Sequence, residues 1–136
     1  MRSVRSRRHW LVTGAAVICL VVASAAAATW PARQQAEQVA RTITGGEPNR
    51  APEIMRRYGC GGCHTIPGIP GADGVTGPPL SGLIHRVYVG GVATNSPEHL
   101  VQWIVEPKTL APRSAMPATG ISQAEARDVA AYLYAR

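Results

Sequence analysis

The sequence predicts an all-α class with a small domain behind a membrane-directed leader, and three observations predict it. No segment alternates between apolar and polar residues like a strand for more than a few positions. Two stretches carry helix-start chemistry just before an apolar face, at Ser96-Pro97-Glu98 and at Ser122 with Glu125 three residues on. The N-terminus sets four arginines ahead of an uncharged run about one hydrocarbon core long.

The leader comprises residues 1–30. Arg2, Arg5, Arg7 and Arg8 precede an uncharged run from Trp10 to Thr29, closed by Trp30. As a helix, residues 10–30 would span roughly 31 Å at ~1.5 Å per residue. Trp10 and Trp30 bracket it where amphipathic rings favour the two interfaces. The arginines hold their end in the cytoplasm, which places everything after Pro31 outside it. The alternative is a removable signal peptide, because Ala23-Ser24-Ala25 and Ala25-Ala26-Ala27 both offer small-residue cleavage sites. Retained, the leader tethers the domain to a bacterial inner membrane, facing the periplasm; cleaved, it leaves a soluble periplasmic protein. Arg7-Arg8 reads as positive-inside charge rather than a twin-arginine signal, and Cys19 as an apolar-run cysteine.

The net charge of +6 belongs largely to this leader. From Pro31 onward ten basic residues face eight acidic ones, which leaves no concentrated basic footprint for nucleic acid. With three tryptophans, four tyrosines and no phenylalanine, the core is thin, and a large flat cofactor would supply the missing apolar mass.

Residues 31–48 read as a linker or stalk. Ala32 to Ile43 are good helix formers with only Val39 and Ile43 as bulky aliphatics, ended by Gly45-Gly46 and Pro48. The compact domain is expected over residues 49–136. Pro52 suits the first turn of a short helix in which Ile54 and Tyr58 share a face. Residues 65–80 hold four glycines and four prolines without periodicity, and a loop of that length in a small domain is usually functional. Leu100, Val101, Trp103 and Ile104 then form an apolar face that stops before Pro107. Val129, Tyr132 and Leu133 share a face of the last helix.

Between the first helix and the loop lies Cys60-Gly61-Gly62-Cys63-His64. A C-x-x-C-H run is the attachment site of a c-type haem: two thioethers hold the porphyrin edge and the adjacent histidine ligates iron. Zinc would need a second ligand pair, and the remaining cysteine, Cys19, is far upstream. A redox dithiol would need a βαβ surround. The sixth iron position decides the function, and a methionine there raises the potential and closes the site. Met55 lies too close to the motif to reach the far face, whereas Met116-Pro117 sits in an irregular stretch between two helices. Met116 is therefore the expected sixth ligand. His85 and His99 are the rival donors.

With these pieces in place the chain resembles class I cytochromes c over roughly residues 51–134. The resemblance rests on Cys60–His64, on Thr76-Gly77-Pro78-Pro79-Leu80-Ser81-Gly82-Leu83 with Arg86, on Met116-Pro117, and on Ala131-Tyr132-Leu133. Asn95, Leu100-Val101-Gln102-Trp103-Ile104 and Pro107 make it most similar to the cytochrome c domains associated with haem-copper respiratory oxidases. It implies three to four short helices wrapped around one covalent haem c. It further implies that the Pro78 carbonyl orients His64, that Arg86, Tyr88 and Trp103 sit near the haem propionates, and that Leu80, Leu83, Ile104 and Val105 form pocket wall or core. Tyr58 and Tyr132 would pack where the first and last helices cross.

The implied work is one-electron transfer without catalysis, in a respiratory chain. The partners would be redox proteins of the membrane, a haem-copper oxidase or a dehydrogenase. Two other functions fit the same residues: a permanent haem c subunit of such a complex, or a catalytic or sensor haem protein with an open sixth site. If residues 10–30 are retained, the intact protein should stay with membranes through a high-salt wash, because burial of about twenty apolar residues is not an electrostatic attachment. A mature N-terminus at Ala26 or Ala28 would show cleavage instead.

Overall fold

The computed structural model describes residues 3–136, with side chains at 17–22, at 24 and from 30 onward. The chain divides into two compact units, Met1–Gln35 and Ala36–Arg136. Helix α1 (Ser3–Thr44) carries Pro31 within it. Among the described residues no helix is long and apolar enough to cross a membrane. The expected anchor at residues 10–30 falls mostly on side chains outside those described.

The second unit begins at Ala36, earlier than the expected domain start near Asn49. The last turns of α1 belong to it and pack on α5 (Gln123–Tyr134) through small residues. Ala40 and Thr44 are fully buried there. Gly45, at φ +68°, ends the helix with its N–H on the Arg41 carbonyl at 2.8 Å. Arg127 donates to the freed carbonyl of Thr44 at 3.2 Å, and Asp128 accepts the Glu47 N–H at 2.7 Å. The other oxygen of Asp128 faces Arg50 at 3.3 Å. Gly46 lies on the backbone of α5 itself: a Cβ there would stand 2.1 Å from the Arg127 carbonyl oxygen. This docking face has no bulky aliphatic, so it left no apolar stripe to find.

After a 3₁₀ turn (Pro48–Arg50), α2 (Ala51–Arg57) buries Ala51, Ile54 and Met55 against α5. Each large apolar side chain buried in this way is worth about 1.5–3 kcal/mol. On α5 the matching face includes Ala126, Val129, Ala130 and Leu133, and the small alanines let the helices approach. The Ser122–Glu125 capping box forms as expected. Its Glu125 carboxylate also accepts the Tyr58 hydroxyl and the Arg57 guanidinium, both at 2.9 Å. Hydrogen bonds from Ser122 and then Tyr58 hold the Glu125 carboxyl below the usual carboxylate range. A depressed carboxylate stabilises the fold above its unfolded-state pKa, and that contribution falls away as pH drops through the folded value.

The rest of the unit is α3 (Pro97–Val105), a short α4 (Pro107–Leu110) and a hairpin of β1 (Tyr88–Val89) and β2 (Ala93–Thr94). Ser96 caps α3 through the His99 N–H at 3.2 Å, and Leu100, Val101 and Ile104 are its buried face. The hairpin corrects the strand-free expectation. Its antiparallel register pairs Tyr88 with Thr94 and Val89 with Ala93. Strands of two residues are too short to alternate visibly, but Gly90 and Gly91, at φ +56° and +73°, are the turn chemistry that makes them. The class remains mostly helical.

Gly46→Ala should destabilise the domain by about 1–3 kcal/mol, because its methyl meets helix backbone rather than a movable side chain. Gly62→Ala, with open space at its Cβ, should leave the thermal midpoint nearly unchanged. Thermal unfolding of the two variants checks the contrast.

Candidate haem site

Gly59, in the left-handed region at φ +70°, stops α2 and turns the chain into a 3₁₀ turn (Cys60–Gly62). The N–H groups of Cys63 and His64 both close on the Cys60 carbonyl, at 3.3 and 3.0 Å. This tight turn brings Cys60, Cys63 and His64 to one cavity of about 730 Å³. Its walls are mostly apolar: Leu80, Leu83, Val89, Leu100, Ile104 and Leu133 among them.

The proline- and glycine-rich loop is strapped onto the motif by its main chain. Gly74 donates to the Gly61 carbonyl at 3.1 Å, Gly77 to that of Cys63 at 2.7 Å, and Leu80 to that of Thr65 at 2.9 Å. Such approach needs bare backbone. A Cβ on Gly61 would meet Ala72 at 2.9 Å, and one on Gly74 would meet the Gly62 and Cys63 carbonyl carbons at 2.6 Å.

His64 is the product of this strapping. Its Nδ1 lies 2.8 Å from the Pro78 carbonyl oxygen. A carbonyl only accepts, so Nδ1 carries the proton and Nε2 is left as the bare nitrogen a metal requires. The ring lies against Gly77, where a Cβ would be 2.3 Å from Cε1 and 2.6 Å from Nδ1. The Pro78 contact expected from the sequence is thus present, and Gly77 is the residue beside it that residue-type reasoning passed over.

Met116 lines the same cavity and is half-buried, its N–H donating to Ser114 Oγ at 3.1 Å. Met55 also reaches the lining, but from α2 and with only 1% of its surface exposed. The rival histidines are elsewhere. His99 donates from Nδ1 to the Thr94 carbonyl at 2.9 Å, and neither it nor His85 lines the cavity.

Arg86, Tyr88 and Trp103 all line it. Arg86 donates from Nη2 to the carbonyls of Pro79 and, at 3.3 Å, Ser81. Tyr88 is 58% exposed at the rim. The Trp103 ring packs on Gly90, where a Cβ would be 2.3 Å from it. Leu80, Leu83 and Ile104 are wall, whereas Val105, partly buried, packs against the core and is not in the lining. Tyr58 meets α5 at Glu125, and Tyr132 instead reaches the loop, donating to the Pro67 carbonyl at 2.6 Å. The stretch from Leu110 to Arg113 supplies lining that the sequence did not announce.

The donor set suits a haem. Two thiols and one oriented imidazole open onto an apolar space far larger than a bare ion requires. Among the described residues no group of three His, Cys, Asp or Glu side chains is arranged to hold a metal ion by itself. Burial pushes the Cys60 thiol above its ordinary value.

Mostly helical elements around an apolar cavity, with a C-x-x-C-H turn on its wall, define a class I c-type cytochrome. The chain belongs to the cytochrome c family, whose model matches residues 49–135. Proteins of this family carry haem c and transfer electrons. No curated protein and no solved structure matches the chain.

Gly77→Ala should drive the His64 ring off the Pro78 carbonyl. That hydrogen bond is solvent-exposed, so its loss should cost about 0.5–1.5 kcal/mol. The His64 Nδ1 proton, protected in the parent, should exchange with solvent faster by a corresponding factor, read by NMR of the reduced protein.

Proposed function

We propose that this protein is a mono-haem carrier in which His64 and Met116 would ligate the iron and Cys60 and Cys63 would form the two thioethers. The observation that carries the reading is His64: Nδ1 is committed to Pro78, Nε2 is bare, and Met116 is the loop sulfur on the same cavity. When bound, the haem supplies reversible one-electron cycling between Fe(II) and Fe(III). His64 is held in one tautomer and one orientation, so little rearranges as the charge changes. Met116 would be the second protein ligand of the iron and would keep exchangeable ligands off it. The apolar walls would keep water from the haem, and the exposed Tyr88 would lie on the side open to a partner. Arg86, Tyr88 and Trp103 would neighbour the haem propionates.

We place the carrier on the outer face of a bacterial inner membrane, tethered by residues 10–30, or soluble in the periplasm if the leader is removed. Its arginine-flanked uncharged run supports export, and a retained tether would raise its effective concentration near membrane complexes. It serves a respiratory chain, with a haem-copper oxidase or a dehydrogenase as partner; the Asn95, Trp103, Pro107 and Met116 series supports that choice.

Haem should remain with the polypeptide through denaturing electrophoresis. The oxidised protein should show the weak near-infrared sulfur-to-iron band, and Met116→Ala should abolish it. The reduced Met116→Ala protein should bind carbon monoxide and the parent should not. Carbon monoxide binding by the parent would instead favour a catalytic or sensor protein with an open site.

A further inference from the structure

Asn95 is a polar hub behind the turn that carries Arg86. Its Nδ2 donates to the carbonyls of Leu83 at 2.8 Å and Arg86 at 2.9 Å. Those two carbonyls bracket the 3₁₀ turn (Leu83–His85) from which Arg86 leaves. Its backbone N–H donates to the Val87 carbonyl at 2.9 Å. Its Oδ1 accepts the hydroxyl of Tyr134 at 2.8 Å. The Asn95 amide is therefore a bridge between the Arg86 turn and the last turn of α5.

Tyr134 is buried, and packing alone would be served as well by phenylalanine. Its hydroxyl has one polar side-chain partner, Asn95. Burial, and then the nearby Glu98 charge, push that hydroxyl up to about 12, so it is a proton donor throughout the neutral range. From the turn, the Arg86 guanidinium reaches the carbonyls of Pro79 and Ser81, beside the Pro78 carbonyl that holds His64. A continuous series of hydrogen bonds thus runs from α5 to the wall of the haem cavity. None of its outer members touches the cofactor space: neither Asn95 nor Tyr134 lines the cavity.

We infer that Tyr134 and Asn95 are a positioning pair that fixes the Arg86 guanidinium at the haem cavity and so raises the reduction potential. The inference rests on the haem reading of this cavity given above. A cation fixed beside the cavity disfavours the more positive ferric state, and it does so more than the same cation moving freely in water, where it is screened. Releasing the turn should therefore lower the potential without removing any charge.

The test is a double-mutant cycle on the haem-loaded protein with midpoint potential as readout. Tyr134→Phe should lower the potential and speed hydrogen exchange of the Arg86 amide, which closes on the Leu83 carbonyl at 3.1 Å in the parent. Arg86→Gln should also lower it, and adding Tyr134→Phe to Arg86→Gln should lower it no further. An unchanged potential in Tyr134→Phe, even with a lower thermal midpoint, overturns the inference and leaves the pair merely structural. An equal fall in both backgrounds overturns it as well, because the effect then travels by a route other than Arg86. If Arg86→Gln leaves the potential unmoved, the guanidinium has no hold on the haem and the inference fails there. A parent that takes up no covalent haem fails at the earlier reading, and a haem stain distinguishes that failure from the others.

Discussion

The hydrogen bond from His64 to the Pro78 carbonyl is the contact on which the site depends, and it exists only because two stretches of backbone lie against each other. A side chain at Gly61, Gly74 or Gly77 would separate the loop from the motif. Main-chain bonds from Gly74 and Gly77 fix the separation, and Pro78 presents its carbonyl from a chain with φ locked. A single misplaced methyl here would be felt at the imidazole, at the cysteines and along the cavity wall together. The glycine and proline density of the loop is a packing requirement, and it makes a segment without regular structure one of the more constrained parts of the domain.

That constraint is matched by one on the opposite side of the sequence. Helix α5 is the common partner of α2, of the turn before it and of the last turns of α1. It meets the end of α1 through small residues, and α2 through alanines together with Ile54, Met55, Val129 and Leu133. Tyr58, Tyr132 and Tyr134 each leave that crowded region with a hydroxyl bound to a different element: Glu125, the Pro67 carbonyl and Asn95. With few aromatic residues available, the fold uses the polar tip of each tyrosine as well as its ring. The three bonds tie the helix, the loop and the Arg86 turn to one scaffold.

Much of this was legible in the residues. The C-x-x-C-H spacing located the cavity wall, the Ser96 and Ser122 caps located α3 and α5, and Met116, singled out by its irregular loop, lines that cavity. What escaped reading had weak local signals for physical reasons. Ala40, Thr44 and Gly46 bury a helix end without an apolar stripe. The hairpin at Tyr88 has strands too short for a period, so only Gly90-Gly91 marked it. Asn95 looked like a residue before a helix cap, and nothing local says that its amide spans to Tyr134. Tertiary hydrogen bonds between distant residues have no periodicity, and residue type alone does not place them.

The docking of the α1 end has a mechanical side. Chain entering the compact unit at Ala36 runs past Glu37, paired with Arg136 at 2.9 Å, before Thr44, Gly46 and Glu47 seat on α5. Tension on the upstream chain therefore meets α5 well before it meets Cys60. The load passes into the last helix and the C-terminal residue, and the short turn carrying the cysteines and His64 is kept out of the line of force.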